Sequence, residues 1–219
     1  TDETIFNRYT VNEGISQSSI SCLLQDSEGY IWFGTQNGLN RFNGYSFERY
    51  CPDPEDTTSI SHGWIYSIAE DADGNIWVGS RGGLNKFDKK KATFERIPAK
   101  QGKNSLFSNL VYGVAYHDGC IYVNTPSVLN VLNVKTKQIT QYKNNIYLEK
   151  RAGSFEKGFP ILIDKQKNVW IATPKGLSRF NSSTKKFNNY YHYADDSSSI
   201  PDDYINAIYE DKQGEIWIG

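Results

Sequence analysis

Methionine is absent from this 219-residue chain, and its three cysteines, Cys22, Cys51 and Cys120, are an odd number with no C-x-x-C spacing. That count excludes a full disulfide framework and a zinc ribbon. A chain that opens at Thr1 and holds no methionine is expected to have lost a leading segment, for which a signal peptide and a cloning boundary are the two candidates. Net charge is also nearly absent: 24 Lys and Arg against 25 Asp and Glu leave −1. Nothing therefore draws the chain as a whole to nucleic acid or to an anionic membrane, and any partner is recognised locally. The longest clean apolar run is "FPILI" at 159–163, far short of the roughly 18 residues that span a bilayer as a helix. No membrane contact is expected in this region. Also missing are a helix-length amphipathic pattern, a Gly-x-Ser-x-Gly elbow and any metal-ligand spacing among His62, His117 and His192. No cofactor and no metal are expected.

What the chain has is repetition. "DSEGYIWFGTQNGLNRFN" begins at Asp26, "DADGNIWVGSRGGLNKFD" at Asp71, "DKQKNVWIATPKGLSRFN" at Asp164 and "DKQGEIWIG" at Asp211, with a decayed copy, "HDGCIYVNTPSVLNVLN", at 117–133. From Trp32 to Trp77 is 45 residues, from Trp77 to Tyr122 is 45, from Tyr122 to Trp170 is 48 and from Trp170 to Trp217 is 47. Each unit reads as four strands: an upstream run such as "IYSIAE", the Trp run, a run such as "LNKFD", and an outer run such as "TFERI". Four-stranded antiparallel units at this period predict an all-β chain, a β-propeller of four-stranded antiparallel blades.

The blades are expected at 15–50, 60–97, 108–142 and 157–190, with the start of a fifth at 203–219. "FNRY" at 6–9 matches the outer-strand run "FERY" at 47–50, so residues 1–10 are expected to supply the outer strand of a closing blade. About four and a half blades with such an offset predict a part of a larger, seven-bladed ring.

The Asp-x-x-Gly stretches invite a calcium reading, but twelve residues along from Asp71 stands Gly82 where an EF-hand needs Glu. Asp26, Asp71, Asp164 and Asp211 are read instead as hairpin turns whose carboxylates accept local backbone N–H groups. The corner "SRGG" has no following helix and does not make a phosphate cradle. Trp32, Trp77, Trp170 and Trp217 are read as packing residues between neighbouring blades. Trp64 lies outside that Trp slot, in a long connection, and is the better ligand candidate.

The pattern "SIS…I…D…G.IWFGT..GLNRF", with Ser-rich leads such as "DTTSISHGWI" and "DDSSSIPDDYI", resembles the two-component regulator propeller repeats over essentially the whole chain, the third copy departing most. The resemblance implies the periplasmic sensor region of a Bacteroidetes hybrid two-component protein. Such a protein carries two large propellers, a small β-sandwich, a membrane span, a histidine kinase, a receiver and a DNA-binding regulator. It also implies a homodimeric, membrane-anchored ectodomain that detects oligosaccharides of one glycan and switches on the matching utilisation genes by phosphorelay.

On such a scaffold, ligand contacts are expected on the face formed by the corners between second and third strands and by the long leads. The candidates are Gln36, Arg81 and Lys175 from the corners, with Arg81 standing where other copies carry Gln36 or Lys175, and Trp64, His62 and Tyr204 from the leads. The basic run "KKKATFERIPAKQGK" at 89–103 reads as a solvated outer hairpin guarding a blade edge. Two other classes compete: a sialidase-like or streptogramin-lyase-like propeller enzyme, and a pure protein-interaction propeller. A glycosidase needs two convergent carboxylates, and the repeated Asp residues are spread around separate turns. No catalytic residue is expected in this region.

Overall fold

The computed structural model describes residues 7–144 and 158–219. The short, β-branched and aromatic runs pair as antiparallel meanders. The first sheet holds β1 (Ile20–Gln25), β2 (Ile31–Thr35), β3 (Gly38–Phe42) and β4 (Phe47–Tyr50), in that order. The second holds β5 (Ile65–Glu70), β6 (Ile76–Ser80), β7 (Gly83–Asp88) and β8 (Thr93–Ile97). The third holds β9 (Gly113–His117), β10 (Cys120–Thr125), β11 (Val128–Asn133) and β12 (Ile139–Lys143), and the fourth β13 (Ile161–Ile163), β14 (Asn168–Thr173), β15 (Gly176–Asn181) and β16 (Lys186–Tyr190). A two-stranded sheet, β17 (Ile208–Glu210) and β18 (Ile216–Ile218), follows. The first strands of successive sheets neighbour one another in series, so they line the axis of a propeller. Of the outer strand expected over 1–10, residues 1–6 lie outside the described residues and residues 7–10 carry no strand.

The apolar cores lie between sheets. Trp32 packs with Ile60, Ile65 and Phe87 of the second unit, Trp77 with Leu106, Val111 and Val114 of the third, and Trp170 with Ile200, Ile205 and Ile208 of the fifth. Tyr122 fills the same slot against Val169 and Phe180. Trp32 and Trp77 are 0% exposed, whereas Trp217 is 59% exposed. Close approach of the sheets leaves no room for a side chain at Gly79, where a Cβ would stand 2.7 Å from Val111 Cγ1 and 2.8 Å from Val114 Cγ2.

Each indole of the Trp slot is tied to its own turn. Trp Nε1 donates to the Asp six residues earlier: Trp32 to Asp26 at 2.9 Å, Trp77 to Asp71 at 2.7 Å, Trp170 to Asp164 at 2.8 Å and Trp217 to Asp211 at 2.9 Å. The second carboxylate oxygen accepts from the turn, Asp73 N–H at 3.0 Å and Asn75 N–H at 2.9 Å in the case of Asp71. These oxygens face N–H donors, which a calcium ion would have to displace. Gly29 and Gly74 close the first two turns at φ 89° and 78°, and Lys167 takes the equivalent left-handed position at φ 66°. The third sheet departs: Asp118 and Gly119, both at positive φ, make a two-residue turn with no carboxylate beneath an indole. On the other ring face a cross-strand cation stacks, Arg41 over Trp32, Lys86 over Trp77 and Arg179 over Trp170, each 5.6 Å from the centroid.

Neighbouring sheets are also hooked by charge. Lys89 Nζ, in the β7–β8 turn, lies 3.0 Å from Asp26 Oδ2, 3.1 Å from Glu28 and 3.4 Å from Glu70. Glu70 in turn accepts from Ser27 N–H and Oγ–H, both at 2.7 Å. Burial pushes the Asp26 carboxyl up, but the Trp32 and Lys89 hydrogen bonds and the Lys89 charge outweigh it and hold the group below its ordinary 3.8.

Asp71→Ala removes an indole partner and two turn partners at a buried site. It is expected to cost about 2–4 kcal/mol in urea unfolding, and a loss within about 0.5 kcal/mol would contradict the structural role. Because the folded carboxyl of Asp26 is depressed, its contribution is complete above the unfolded value and is lost as pH falls through the folded one. Asp26→Asn is therefore expected to be less stable than the parent at neutral pH, with the gap closing towards about pH 2 in acid titrations followed by tryptophan fluorescence. A gap constant over that range would count against the assignment.

Candidate functional site

The β2–β3, β6–β7 and β14–β15 corners share one construction. A hydroxyl closes the corner: Thr35 Oγ1, Ser80 Oγ and Thr173 Oγ1 each donate to the glycine carbonyl three residues on at 2.9 Å. The same oxygens accept the N–H groups of Asn37, Gly82 and Lys175 at 2.9, 3.1 and 3.2 Å. The pairings Thr35↔Gly38, Ser80↔Gly83 and Thr173↔Gly176 set the register. They correct one expectation. Arg81 is equivalent to Gln36, Pro126 and Pro174, whereas Lys175 stands one position later, level with Asn37 and Gly82.

In the first three sheets the lead is tied to the third strand by a buried asparagine. Asn40, Asn85 and Asn130 accept the N–H of Ser16, Ser61 and Phe107 at 2.8, 2.9 and 2.9 Å, and all three are 0% exposed. Sequence reasoning passed over them, although "GLN" in two copies and "VLN" in a third stand in plain view. Three leads then turn on a side chain that accepts the N–H two residues ahead: His62 Nδ1 from Trp64 at 2.9 Å, Ser108 Oγ from Leu110 at 3.1 Å and Asp202 Oδ1 from Tyr204 at 2.7 Å; in the first lead Gln17 Oε1 accepts the Gln36 N–H instead, at 2.9 Å. Trp64 is thus not off the repeat. It fills a lead slot that Leu110 and Tyr204 occupy elsewhere, and what distinguishes it is its size and its neighbours.

Of the six candidates, the structure brings Arg81, Trp64 and His62 together. Arg81 N–H donates to Trp64 O at 3.1 Å, and its guanidinium carbon lies 5.1 Å from the Trp64 ring centroid. Gln36 belongs to the adjoining corner, whose Gly38 N–H donates to Gly63 O at 2.7 Å. Lys175 and Tyr204 flank a different junction, where Gly176 N–H donates to Asp203 O at 2.9 Å; Tyr204 is 53% exposed.

Beneath Trp64 runs an aromatic row. Trp64 stacks on Tyr66 at 6.3 Å and 23°, Tyr66 meets Tyr112 edge-on at 5.5 Å, and Tyr112 meets Phe159 at 5.0 Å and 86°. Tyr66 sits where the β5–β6 register slips between Ile65 and Ser67, a bulge that re-aims the side chain. Tyr66 and Phe159 stand five residues before their turn aspartates, Asp71 and Asp164, a regularity the sequence displays. Burial pushes the Tyr112 hydroxyl up to about 12, with Tyr66 adding and Arg81 opposing. Burial and then the Arg81 charge lower His62, so its imidazole is neutral at pH 7. Trp64 Nε1 is buried and donates to no acceptor among the described residues.

Rings and N–H donors make up this surface. Among the described residues no three His, Cys, Asp or Glu side chains gather as a metal site. The three histidines stand in three different units: His62 in the lead before β5, His117 at the end of β9 and His192 after β16, where its Nδ1 is engaged with Ile200 O at 2.9 Å.

A family model described as "Two component regulator propeller" matches residues 14–37, 59–82 and 199–219, three of the leads with their first strands and turns. A histidine kinase of Formosa agariphila is 47% identical over 57 residues, 26% of this chain and 4% of that protein. Among solved structures, the extracellular domain of a hybrid two-component system from B. thetaiotaomicron superposes with TM-score 0.67 at 23% identity, covering 91% of this chain and 28% of that one. Another from the same organism gives 0.62 at 19%, covering 97% and 40%. A virginiamycin B lyase from Staphylococcus aureus gives 0.66 at 15%, covering 94% and 64%. The chain thus spans well under half the length of the two-component relatives, and the structural likenesses speak for the propeller fold.

If the side chain at position 62 serves the lead by accepting the Trp64 N–H, His62→Ser, which copies Ser108, is expected to unfold within about 0.5 kcal/mol of the parent, and His62→Ala to lose about 1 kcal/mol. Equal losses in urea titrations would refute that role.

Proposed function

We propose that the chain, three stretches of which match the two-component regulator propeller model, belongs to that family and is a ligand-sensing segment of a hybrid two-component histidine kinase, displayed in the periplasm. Its ligand is an oligosaccharide held on the corner-and-lead face. Trp64, Arg81 and His62 form the contact, and Gln36, Lys175 and Tyr204 border the same face. The 47% identity to a histidine kinase and the likeness to extracellular domains of hybrid two-component systems support this reading.

The observation that carries it is the half-buried indole of Trp64 under an exposed guanidinium, at 5.1 Å, on a rigid frame. Saccharide rings present apolar C–H faces to aromatic surfaces and polar groups to hydrogen-bonding edges, and this pair offers both. The frame around it is closed by hydroxyl, asparagine and backbone bonds, so binding need not order the loop. In the membrane-anchored homodimer, a saccharide carries a signal only by favouring one ectodomain arrangement over another. The phosphorelay then reaches polysaccharide-utilisation genes.

The same fold carries lyase chemistry in the staphylococcal neighbour, whose catalytically inactive form is solved with quinupristin. Turnover is therefore measured alongside binding. Thermal-shift screening of the chain against host and plant oligosaccharides, with products followed by chromatography, is expected to show stabilisation by a saccharide without cleavage. Trp64→Ala is expected to weaken that binding by about tenfold or more. Cleavage of any saccharide would assign the chain to the enzymes, and a protein partner captured in the absence of saccharide binding would assign it to the interaction propellers.

A further inference from the structure

We propose that the corner of the second sheet selects an acidic saccharide, one whose sugar carries a carboxylate or sulfate that docks on Arg81. This rests on the saccharide-binding reading and adds the chemical class. Arg81 is exposed and makes no ion pair and no side-chain hydrogen bond among the described residues. Several other guanidinium and ammonium groups of the scaffold are engaged. Arg41 pairs with Glu48, Lys89 meets three carboxylates, and Arg96 Nη2 donates to Asp56 O and Ser59 Oγ, both at 2.7 Å. The equivalent corner position holds Gln36, Pro126 and Pro174, so the frame does not require a cation there.

Stacking on Trp64 orients the guanidinium without using its donors. An arginine has five N–H donors in a planar fork and no acceptor, and an indole face occupies none of them. His62 adds a second donor: Nδ1 accepts the Trp64 N–H, so the proton of the neutral ring sits on Nε2. Neutral sugar hydroxyls donate as readily as they accept and call for acceptors in the protein. The two polar side chains gathered on Trp64 offer donors. A carboxylate or sulfate only accepts, and the guanidinium fork matches it in two parallel hydrogen bonds.

The test titrates the chain calorimetrically with trigalacturonate and its fully methyl-esterified, neutral form. A sulfated galacto-oligosaccharide is run against its desulfated counterpart. In at least one pair the charged form is expected to bind about tenfold or more tightly than the neutral form, with the preference shrinking as salt is raised from about 20 to about 200 mM. Arg81→Gln is expected to leave both forms alike at an unchanged melting temperature, and Arg81→Lys to keep part of the preference. The pair that responds tells carboxylate from sulfate. If neutral forms bind as well as charged ones, or Arg81→Gln keeps the preference, the acidic class falls while the saccharide reading stands on its loss in Trp64→Ala. If no saccharide of either kind binds, both fall.

Discussion

A carboxylate that accepts an indole N–H six residues later is the bond around which every sheet but the third is organised. An ionised aspartate at 0% side-chain exposure, as at Asp26, is tolerable only when its oxygens are filled by donors. Two backbone N–H groups, one indole and, at Asp26, one ammonium fill them. The turn therefore cannot relax without uncovering a charge, and the indole cannot rotate without losing its only polar partner. With the carboxylate holding its edge and a cross-strand cation over its face, the ring presents a fixed apolar surface, and the next sheet packs onto that surface. Local turn chemistry thus sets the spacing between sheets.

The same economy of means shapes the face that carries the candidate site. Corner hydroxyls and third-strand asparagines hold leads to the sheets, and in three leads one side chain turns the backbone two residues ahead. These positions are committed to the frame. Position 81 and position 64 are not: their equivalents vary between arginine, glutamine and proline, and between tryptophan, serine, leucine and tyrosine. The frame fixes where these side chains stand and leaves their chemistry open, so a repeated fold can present a different ligand surface at each junction.

The propeller and its four-stranded units were legible in the sequence because the same turn, Trp-bearing run and corner recur every 45 to 48 residues. The aspartate turns were legible for the same reason. Their partnership with Trp32, Trp77, Trp170 and Trp217 was not read, although the interval of six is constant, because the two residues were assigned separate roles in turn and core. Asn40, Asn85 and Asn130 were overlooked because a buried amide looks like a surface residue until its partner is known. The offset between Arg81 and Lys175 was misjudged because both are basic and both sit in a Gly-containing corner; only the strand register separates them. The gathering of Arg81, Trp64 and His62 depends on how a lead folds back over its own corner, a contact between segments that no local pattern specifies.

The third sheet stands apart from its neighbours in one respect. It turns through Asp118 and Gly119 and places Tyr122 where the others place tryptophan, so it lacks the carboxylate–indole latch. In a stack whose members are stabilised by the sheets on either side, local opening begins where intrinsic stability is smallest. The sheets are accordingly expected to differ in local stability: amide protons of the third sheet should exchange with solvent ahead of those in the latched first and second sheets.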